Sequence, residues 1–198
     1  MNAALRANLP GLAGNVNLWN DEALVNSIWS GILVNLHPTT AAAGSYVVAP
    51  EMIKGTGTSS VIADLAVMQV VAPGGGAPLR FTKPSIVFEG KSATDGKSFD
   101  TIFTNQIKEW VTKANIGQAG KVWGIIAKGE RFCFVALDRL RSLNWYSVVM
   151  PPLAGGNPGF NTNPVDNTTI GTITNVNDLT RLDLMIRYIG LNPFPTIP

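Results

Sequence analysis

Apolar residues recur every three or four positions in three stretches of the chain, which is the spacing of a helix with one buried face. Each stretch opens on a side chain suited to capping a helix N-terminus and closes on glycine or proline. The first is capped by Asn20 or Asp21 and ends at His37-Pro38, because the residue before proline disfavours helical backbone. The three predicted helices run from Asn20 to Leu36, from Ser98 to Gly117, and from Asn177 to Gly190.

Runs of apolar residues bounded by glycine and proline predict strands, which cover residues 45–49, 61–68, 85–91, 121–127 and 131–137. The second and third runs are joined by a glycine- and proline-rich connection, residues 73–78, which predicts an antiparallel pair. Lys128-Gly129-Glu130 separates the last two runs and predicts a hairpin. Beyond these runs the pattern weakens. Residues 140–150 fit either helix or strand, and residues 151–176 predict a surface excursion with at most one short strand at 170–173.

The order of helix, strands, helix and strands indicates an α/β or α+β protein in which helices cover a mixed sheet. A chain of 198 residues is long enough for one well-buried domain. We therefore expect a single domain over residues 1–198, with its core at about residues 20–137 and a C-terminal extension, residues 138–198, that carries one helix. Residues 1–19 show no clear period, and we expect a partly ordered lead-in without function.

Composition narrows the class of protein only slightly. The hydrophobic fraction of 45% and the charged fraction of 14% are typical of a globular protein with a large core. A net charge of +2 gives no global basic field, so we expect phosphate binding to be weak and salt-dependent. No stretch has the pattern of a signal peptide or a membrane span, and we expect an intracellular protein, cytoplasmic or nuclear. The cations available to a phosphate backbone are scattered: Lys83, Lys97, Lys108, Lys113, Lys121, Lys128 and Arg131.

Charged residues interrupt two of the predicted strands. Because side chains alternate along a strand, Glu89 and Lys91 lie on the same face. Asp64 lies in another apolar run, where a buried carboxylate is costly unless it is paired, protonated or metal-bound. Antiparallel pairing of these strands would bring Asp64 and Glu89 within reach of one ion. The structural alternative is an ordinary ion pair between Glu89 and Lys91, with Asp64 hydrogen-bonded in the core.

Four other side chains have both a structural and a functional interpretation, and the structural one is preferred for each. His37 suits a helix C-terminus better than a metal site. Cys133, the only cysteine, is expected to fill the core rather than to act as a nucleophile. Glu22 is favoured in the first turn of a helix, because the helix dipole stabilises an acid there. Gln106 lies on the apolar stripe of the second helix. It is expected to be a core amide rather than a residue turned into a site.

The charged residues and their setting resemble the PD-(D/E)XK nuclease superfamily. Asp64 in an apolar strand, Glu89-Gly90-Lys91 at the end of the next strand, and a following helix with Gln106 match the order of that family's αβββαβ, restriction-endonuclease-like core. Gln106 and Trp110 have the spacing of the Q-x-x-x-Y motif of RecB-like exonucleases, with tryptophan in place of tyrosine. Ala63 stands where the name of the motif has proline.

The resemblance covers roughly residues 20–137. It implies a nuclease that cleaves nucleic acid with a divalent metal, and DNA is expected as the substrate in preference to RNA. By this resemblance Asp64, Glu89 and the Gly90 carbonyl would bind Mg²⁺ or Mn²⁺, which prefer oxygen ligands. Lys91 would orient or deprotonate the attacking water and offset charge in the transition state.

By the same resemblance, Gln106 would position Lys91 or the nucleotide. Glu22 and Trp110 are additional site candidates. Glu22 is included because the first helix supplies an extra acid in some family members. Two other functions fit the same sequence. One is a catalytically inactive nuclease-fold module that binds a partner or nucleic acid inside a larger assembly. The other is a structural, oligomeric protein without a catalytic site, suggested by the low charge and the high Ala, Asn, Gly, Thr and Pro content, and it predicts that the acids lie apart in space.

Overall fold

A computed structural model describes residues 1, 3–36, 46–54, 61–71, 78, 80–81, 84–113, 120–138, 144–162, 165 and 168–197. The features predicted at His37, Lys83, Gly117 and residues 73–77 lie outside the described residues.

The described helical segments include one long helix that consists of three consecutive segments, Phe99–Ile102, Phe103–Ile107 and Lys108–Lys113. None of the described helices is both long and apolar enough to cross a membrane. The segments are α1 (Ala3–Asn8), a 3₁₀ turn (Leu9–Leu12), α2 (Val16–Trp19), α3 (Glu22–Leu36), α4 (Phe99–Ile102), the π-helical segment (Phe103–Ile107), α5 (Lys108–Lys113) and α6 (Val176–Leu191).

The strands form one mixed sheet, and the fold is therefore α+β. Their order is β1-β2-β4-β5-β6-β7-β8, with β3 beside β2 and β9 beside β6. Among the described strands, β4 and β5 pair in parallel and every other pair is antiparallel. The strands are β1 (Tyr46–Lys54), β2 (Val61–Val71), β3 (Arg80–Phe81), β4 (Ile86–Lys91), β5 (Lys121–Lys128), β6 (Arg131–Asp138), β7 (Asn144–Val149), β8 (Gly159–Asn161) and β9 (Ile170–Thr172).

Helices α3 and α6 pack on the same side of the sheet and share one apolar cluster. At its centre Trp29 of α3 contacts Phe88 and Phe132, with ring centroids 5.4 and 5.3 Å apart. Leu182 and Ile186 of α6 belong to the same cluster. Helix α6, from the C-terminal extension, therefore packs in the same apolar cluster as α3.

The long helix α4–α5 covers a second cluster. Phe103, Ile107 and Trp110 on that helix pack with Val87 of β4 and Ile126 of β5. Strand β4 is buried along its whole length, because this helix covers one face and α3 contributes to the cover of the other. Charged residues on β4 are therefore held inside the protein.

Several predicted boundaries are confirmed. Helix α3 begins where expected, and Asp21 caps it by accepting hydrogen bonds from the backbone N–H groups of Ala23 and Leu24. Strands β5 and β6 form the predicted hairpin, with Gly129 at a φ of 58° in its two-residue turn. Strands β2 and β4 pair in the predicted antiparallel sense.

Other predictions were wrong. Strand β1 does not stop before Pro50 but continues to Lys54, because it lies at the edge of the sheet, where proline is tolerated. Helix α6 begins at Val176, since Asn175 rather than Asn177 is its cap, and it continues one residue past Gly190. The lead-in before residue 20 is more ordered than the partly ordered segment expected, since its described residues form two short helices and Trp19 is buried in the core.

Candidate functional site

The register of β2 and β4 brings the two predicted acids together. Leu65 pairs with Phe88, so the next position along the ladder sets Asp64 across from Glu89. Asp64 Oδ2 accepts a hydrogen bond from the backbone N–H of Gly90 at 2.8 Å. The two carboxylates therefore lie close together at one end of the strand pair, contrary to the separation expected of a structural protein without a site.

Lys91 is held between two glutamates. Its ammonium lies 2.8 Å from Glu89 Oε1 and 2.8 Å from Glu22 Oε1. Glu22 opens α3, so this ion pair ties the start of that helix to the end of β4. The preferred interpretation of Glu22 as a first-turn residue is incomplete, because its carboxylate also contacts the lysine.

Gln106 reaches the same cluster from the opposite layer. Its Nε2 donates a hydrogen bond to Glu89 Oε1 at 2.5 Å. Gln106 lies in the π-helical segment, where the N–H of Lys108 bonds to the carbonyl of Phe103, one residue further back than in an α-helix. The preferred interpretation of Gln106 as a core amide is therefore replaced by a direct contact with Glu89.

Asn26 is a member of the cluster that the sequence analysis missed. The Asn26 side chain hydrogen-bonds to Asp64. Its Oδ1 is buried against Gly90, where a Cβ atom would clash with it. Asn26 lies one helical turn after Glu22, and a pair of residues at i and i+4 on one helix face was the available signal.

A pocket of about 310 Å³ opens beside Asp64. Asn26, Ser27 and Glu51 are among the residues that line it. Glu51 belongs to β1 and has a φ of 46°, a left-handed conformation that is uncommon for a residue with a side chain. Asp64 thus borders a space with polar walls rather than a closed core.

The acids outnumber the cation in this cluster. Glu22, Asp64 and Glu89 face the single ammonium of Lys91. Burial, together with the neighbouring charge of Asp64, raises the pKa of Glu89 to about 7 against the lowering effect of Lys91. Burial also raises the pKa of Asp64, against the opposing effects of the Gly90 hydrogen bond and the Lys91 charge.

Lys91 stays protonated in this setting. Burial alone would lower the pKa of its ammonium, but the hydrogen bonds to Glu22 and Glu89 and the negative charges around it outweigh burial and raise that pKa. The side chain is therefore a fixed cation and not a proton acceptor.

The residues present fit Mg²⁺ or Mn²⁺ better than zinc. Among the described residues no group of three or more His, Cys, Asp or Glu side chains is arranged to hold a metal. Mg²⁺ needs only one or two carboxylates, because it keeps several waters, and Asp64 and Glu89 supply these. Two buried amide oxygens beside them, Asn26 Oδ1 and Gln106 Oε1, have no hydrogen-bond partner within the described part of the chain, as expected where bound waters complete a site.

Two residues considered in the sequence analysis lie in the second apolar cluster. Trp110 is 1% exposed and packs there one turn after Gln106. Cys133 is buried in the same cluster, and burial strongly raises the pKa of its thiol, so Cys133 fills the core as expected.

Comparison of the chain with protein-family models, with curated proteins and with solved structures finds no match.

Proposed function

We propose that this protein is a metal-dependent nuclease that hydrolyses phosphodiester bonds of nucleic acid, with DNA as the first candidate substrate and RNA as the second. The observation that carries the proposal is the convergence of Asp64, Glu89 and Lys91 at one end of the β2–β4 pair. These residues come from two separate strands, and their contacts with Glu22 and Gln106 link both layers of helices to one point.

The order of elements around this point also supports a PD-(D/E)XK assignment. Helix α3 is followed by the antiparallel strands β1, β2 and β4, then by the long helix α4–α5, and then by β5, which is parallel to β4. Apart from the two-residue strand β3, this is the αβββαβ order of that superfamily. The acids and the lysine lie on the second and third of its strands, as the motif requires.

Each side chain has a definite task in this proposal. Asp64 and Glu89, with the Gly90 carbonyl, would hold a Mg²⁺ or Mn²⁺ ion, which when bound lowers the pKa of a coordinated water and polarises the phosphate. Lys91, as a fixed cation, stabilises negative charge that develops on the phosphate oxygens and orients the water, and it does not remove the proton. Gln106 holds the Glu89 carboxylate in position through its amide N–H.

Calorimetry with Mn²⁺ and hydrolysis of labelled DNA and RNA test this proposal. Asp64→Ala and Glu89→Ala should abolish Mn²⁺ binding and reduce hydrolysis by at least about 10²-fold, the usual effect of losing a catalytic electrostatic group. Asp138→Ala is the matched control, because Asp138 is another buried acid at the other end of the sheet. Absence of an Mn²⁺ signal from the wild type, or hydrolysis that survives Lys91→Ala, would exclude catalysis at this site.

A non-catalytic module with the same fold is the second candidate. It is favoured by the two ion pairs of Lys91, which partly neutralise the cluster without a metal. It predicts nucleic-acid binding by the wild type with no Mn²⁺-dependent cleavage, and unchanged affinity in Asp64→Ala.

A further inference from the structure

A row of three basic residues crosses the end of the sheet at which the acid cluster lies. Lys91 pairs with Lys128 across β4 and β5, and Lys128 pairs with Arg131 across β5 and β6. Because side chains alternate, all three lie on the face that carries Val87 and Ile126, the face covered by α4–α5.

The outer part of this row opens into a pocket of about 410 Å³. Lys128 and Arg131 line it together with Lys97, which precedes α4. Lys128 donates a hydrogen bond to the carbonyl of Lys97 at 3.1 Å, and the guanidinium of Arg131 lies over the ring of Phe99 at 5.9 Å. The pocket thus gathers three cations on a partly apolar floor.

The charge of these three cations is not balanced by ion pairs within the described part of the chain. Within the described residues, Lys97, Lys128 and Arg131 form no ion pair, whereas Lys113 is paired with Glu109 at 2.7 Å. Two acids, Asp100 and Glu130, also line the pocket, and each accepts a hydrogen bond from a neutral donor.

Asp100 accepts a hydrogen bond from the backbone N–H of Val165 at 3.1 Å, and Glu130 accepts one from Thr174 at 2.9 Å. The pocket therefore holds three cations against two carboxylates, which leaves an excess of one positive charge for an anionic ligand.

We propose that the pocket of Lys97, Lys128 and Arg131 binds a phosphate of a nucleic-acid strand whose scissile phosphate lies at the Glu89–Lys91 cluster. This inference rests on the proposed function, which places that scissile phosphate. Adjacent strands lie about 4.8 Å apart, so Arg131 is about 10 Å from the Lys91 position, the axial rise of roughly three nucleotides. The bound phosphate is thus within about three nucleotides of the cleaved bond.

Fluorescence anisotropy of a labelled single-stranded oligonucleotide in EDTA, at several salt concentrations, tests the pocket without catalysis. Lys97→Gln, Lys128→Gln and Arg131→Gln should each weaken binding, and each lost contact should reduce the slope of log affinity against log salt by about 0.7. Lys113→Gln removes the same charge outside the pocket and should leave the slope unchanged. An oligonucleotide carrying a 5′-phosphate, compared with its 5′-hydroxyl form, separates a terminal phosphate from an internal one.

Folding of the variants needs its own control, because Arg131 packs over Phe99. Arg131→Lys keeps the charge and should retain the slope, and Lys128→Gln removes only a bond to a backbone carbonyl. The proposal is overturned if the wild type does not bind in EDTA, if the pocket variants keep the wild-type slope, or if Lys113→Gln has the same effect as they do.

Failure of the pocket and failure of the nuclease proposal give different results. Binding lost in the pocket variants, with no Mn²⁺-dependent cleavage by the wild type, supports the phosphate pocket and excludes the nuclease. Cleavage that requires Asp64, with wild-type affinity in all three pocket variants, excludes only the pocket.

Discussion

Glu89 and Asp138 are both buried carboxylates, 3% and 1% exposed, and they lie at opposite ends of the sheet. Each has a lysine near it. Lys91 is 2.8 Å from Glu89, and its side chain is 8% exposed. Lys121 is 4.0 Å from Asp138, and its side chain is 28% exposed. Judged by residue type alone, the two ends of the sheet are alike.

The difference lies in what surrounds each pair. Glu89 shares its lysine with Glu22 and has Asp64 as a neighbour, so three carboxylates face one ammonium. Their excess of negative charge matches what a divalent cation would neutralise. At the other end Lys121 lies 4.0 Å from Asp138, which has a further interaction of its own, and among the described residues no second carboxylate forms an ion pair with that lysine. A buried acid and a lysine are therefore not enough to indicate a site, whereas uncompensated charge held by several elements is.

The largest loss of stability is expected when Lys91, the lysine beside Glu89, is replaced. Lys91→Met leaves Glu89 buried with no cation beside it, and breaking a buried ion pair from one side costs about 3 kcal/mol of unfolding free energy. The loss should be full at about pH 8 and smaller at about pH 5.5, where Glu89 can take up a proton. Urea unfolding at the two pH values measures it. A loss that does not depend on pH would show that Lys91 acts through packing alone.

The pH dependence of stability should report the protonation of Glu89. The pKa of Glu89 is raised from 4.5 to about 7, so between these values the folded protein binds more protons than the unfolded chain. Without a metal, the contribution of Glu89 to stability is therefore present below about pH 4.5 and is lost as the pH rises to about 7, a change on the order of 3 kcal/mol.

Unfolding curves of the wild type and of Glu89→Gln from acid to neutral pH measure this contribution as their difference. Mn²⁺ should stabilise the wild type increasingly as the pH passes 7, because a metal binds the ionised carboxylate. A parallel pH profile in wild type and Glu89→Gln would contradict the raised pKa.

Much of the site could be predicted from the sequence, because it lies on elements with strong local patterns. Strand alternation predicts that Glu89 and Lys91 share a face, and the antiparallel pairing that brings Asp64 to them follows from two apolar runs with a glycine- and proline-rich connection. Helix α3 could be predicted from its cap and its stripe.

The remaining features depend on contacts between distant residues. The π-helical segment that turns Gln106 toward Glu89 has no signature in the spacing of apolar residues, because one extra residue in a turn shifts the stripe only slightly. Asn26 was missed because its signal in the sequence, the i, i+4 spacing from Glu22, does not show that its side chain contacts Asp64. The basic pocket joins Lys97 to Lys128 through a contact between residues 31 positions apart.

A smaller effect is expected from Gly90→Ala, which tests how tightly the acid end of the sheet is packed. The new methyl group would collide with Asn26 Oδ1 and displace the amide from Asp64, at a cost of about 1–2 kcal/mol for overpacking. Gly96→Ala is the control, since no atom lies near the position of its Cβ.

Asn26→Ala should relieve the collision, so the double variant with Gly90→Ala should lose less stability than the sum of the single variants. Chemical denaturation of the four proteins measures this coupling. Additive losses would show that Gly90 is constrained by some contact other than Asn26.

The smallest effect is expected from Lys121→Met, the counterpart of Lys91→Met at the other end of the sheet. Lys121 is partly exposed and lies 4.0 Å from Asp138, a distance and exposure at which an ion pair contributes little. We expect a loss of less than about 1 kcal/mol, no change in Mn²⁺ binding and no change in hydrolysis. Urea unfolding and calorimetry with Mn²⁺ measure these quantities on the same preparation. A loss of stability as large as that of Lys91→Met would mean that any lysine beside a buried acid in this sheet has the same structural role. The excess of negative charge around Glu89 would then no longer distinguish that end of the sheet as the site.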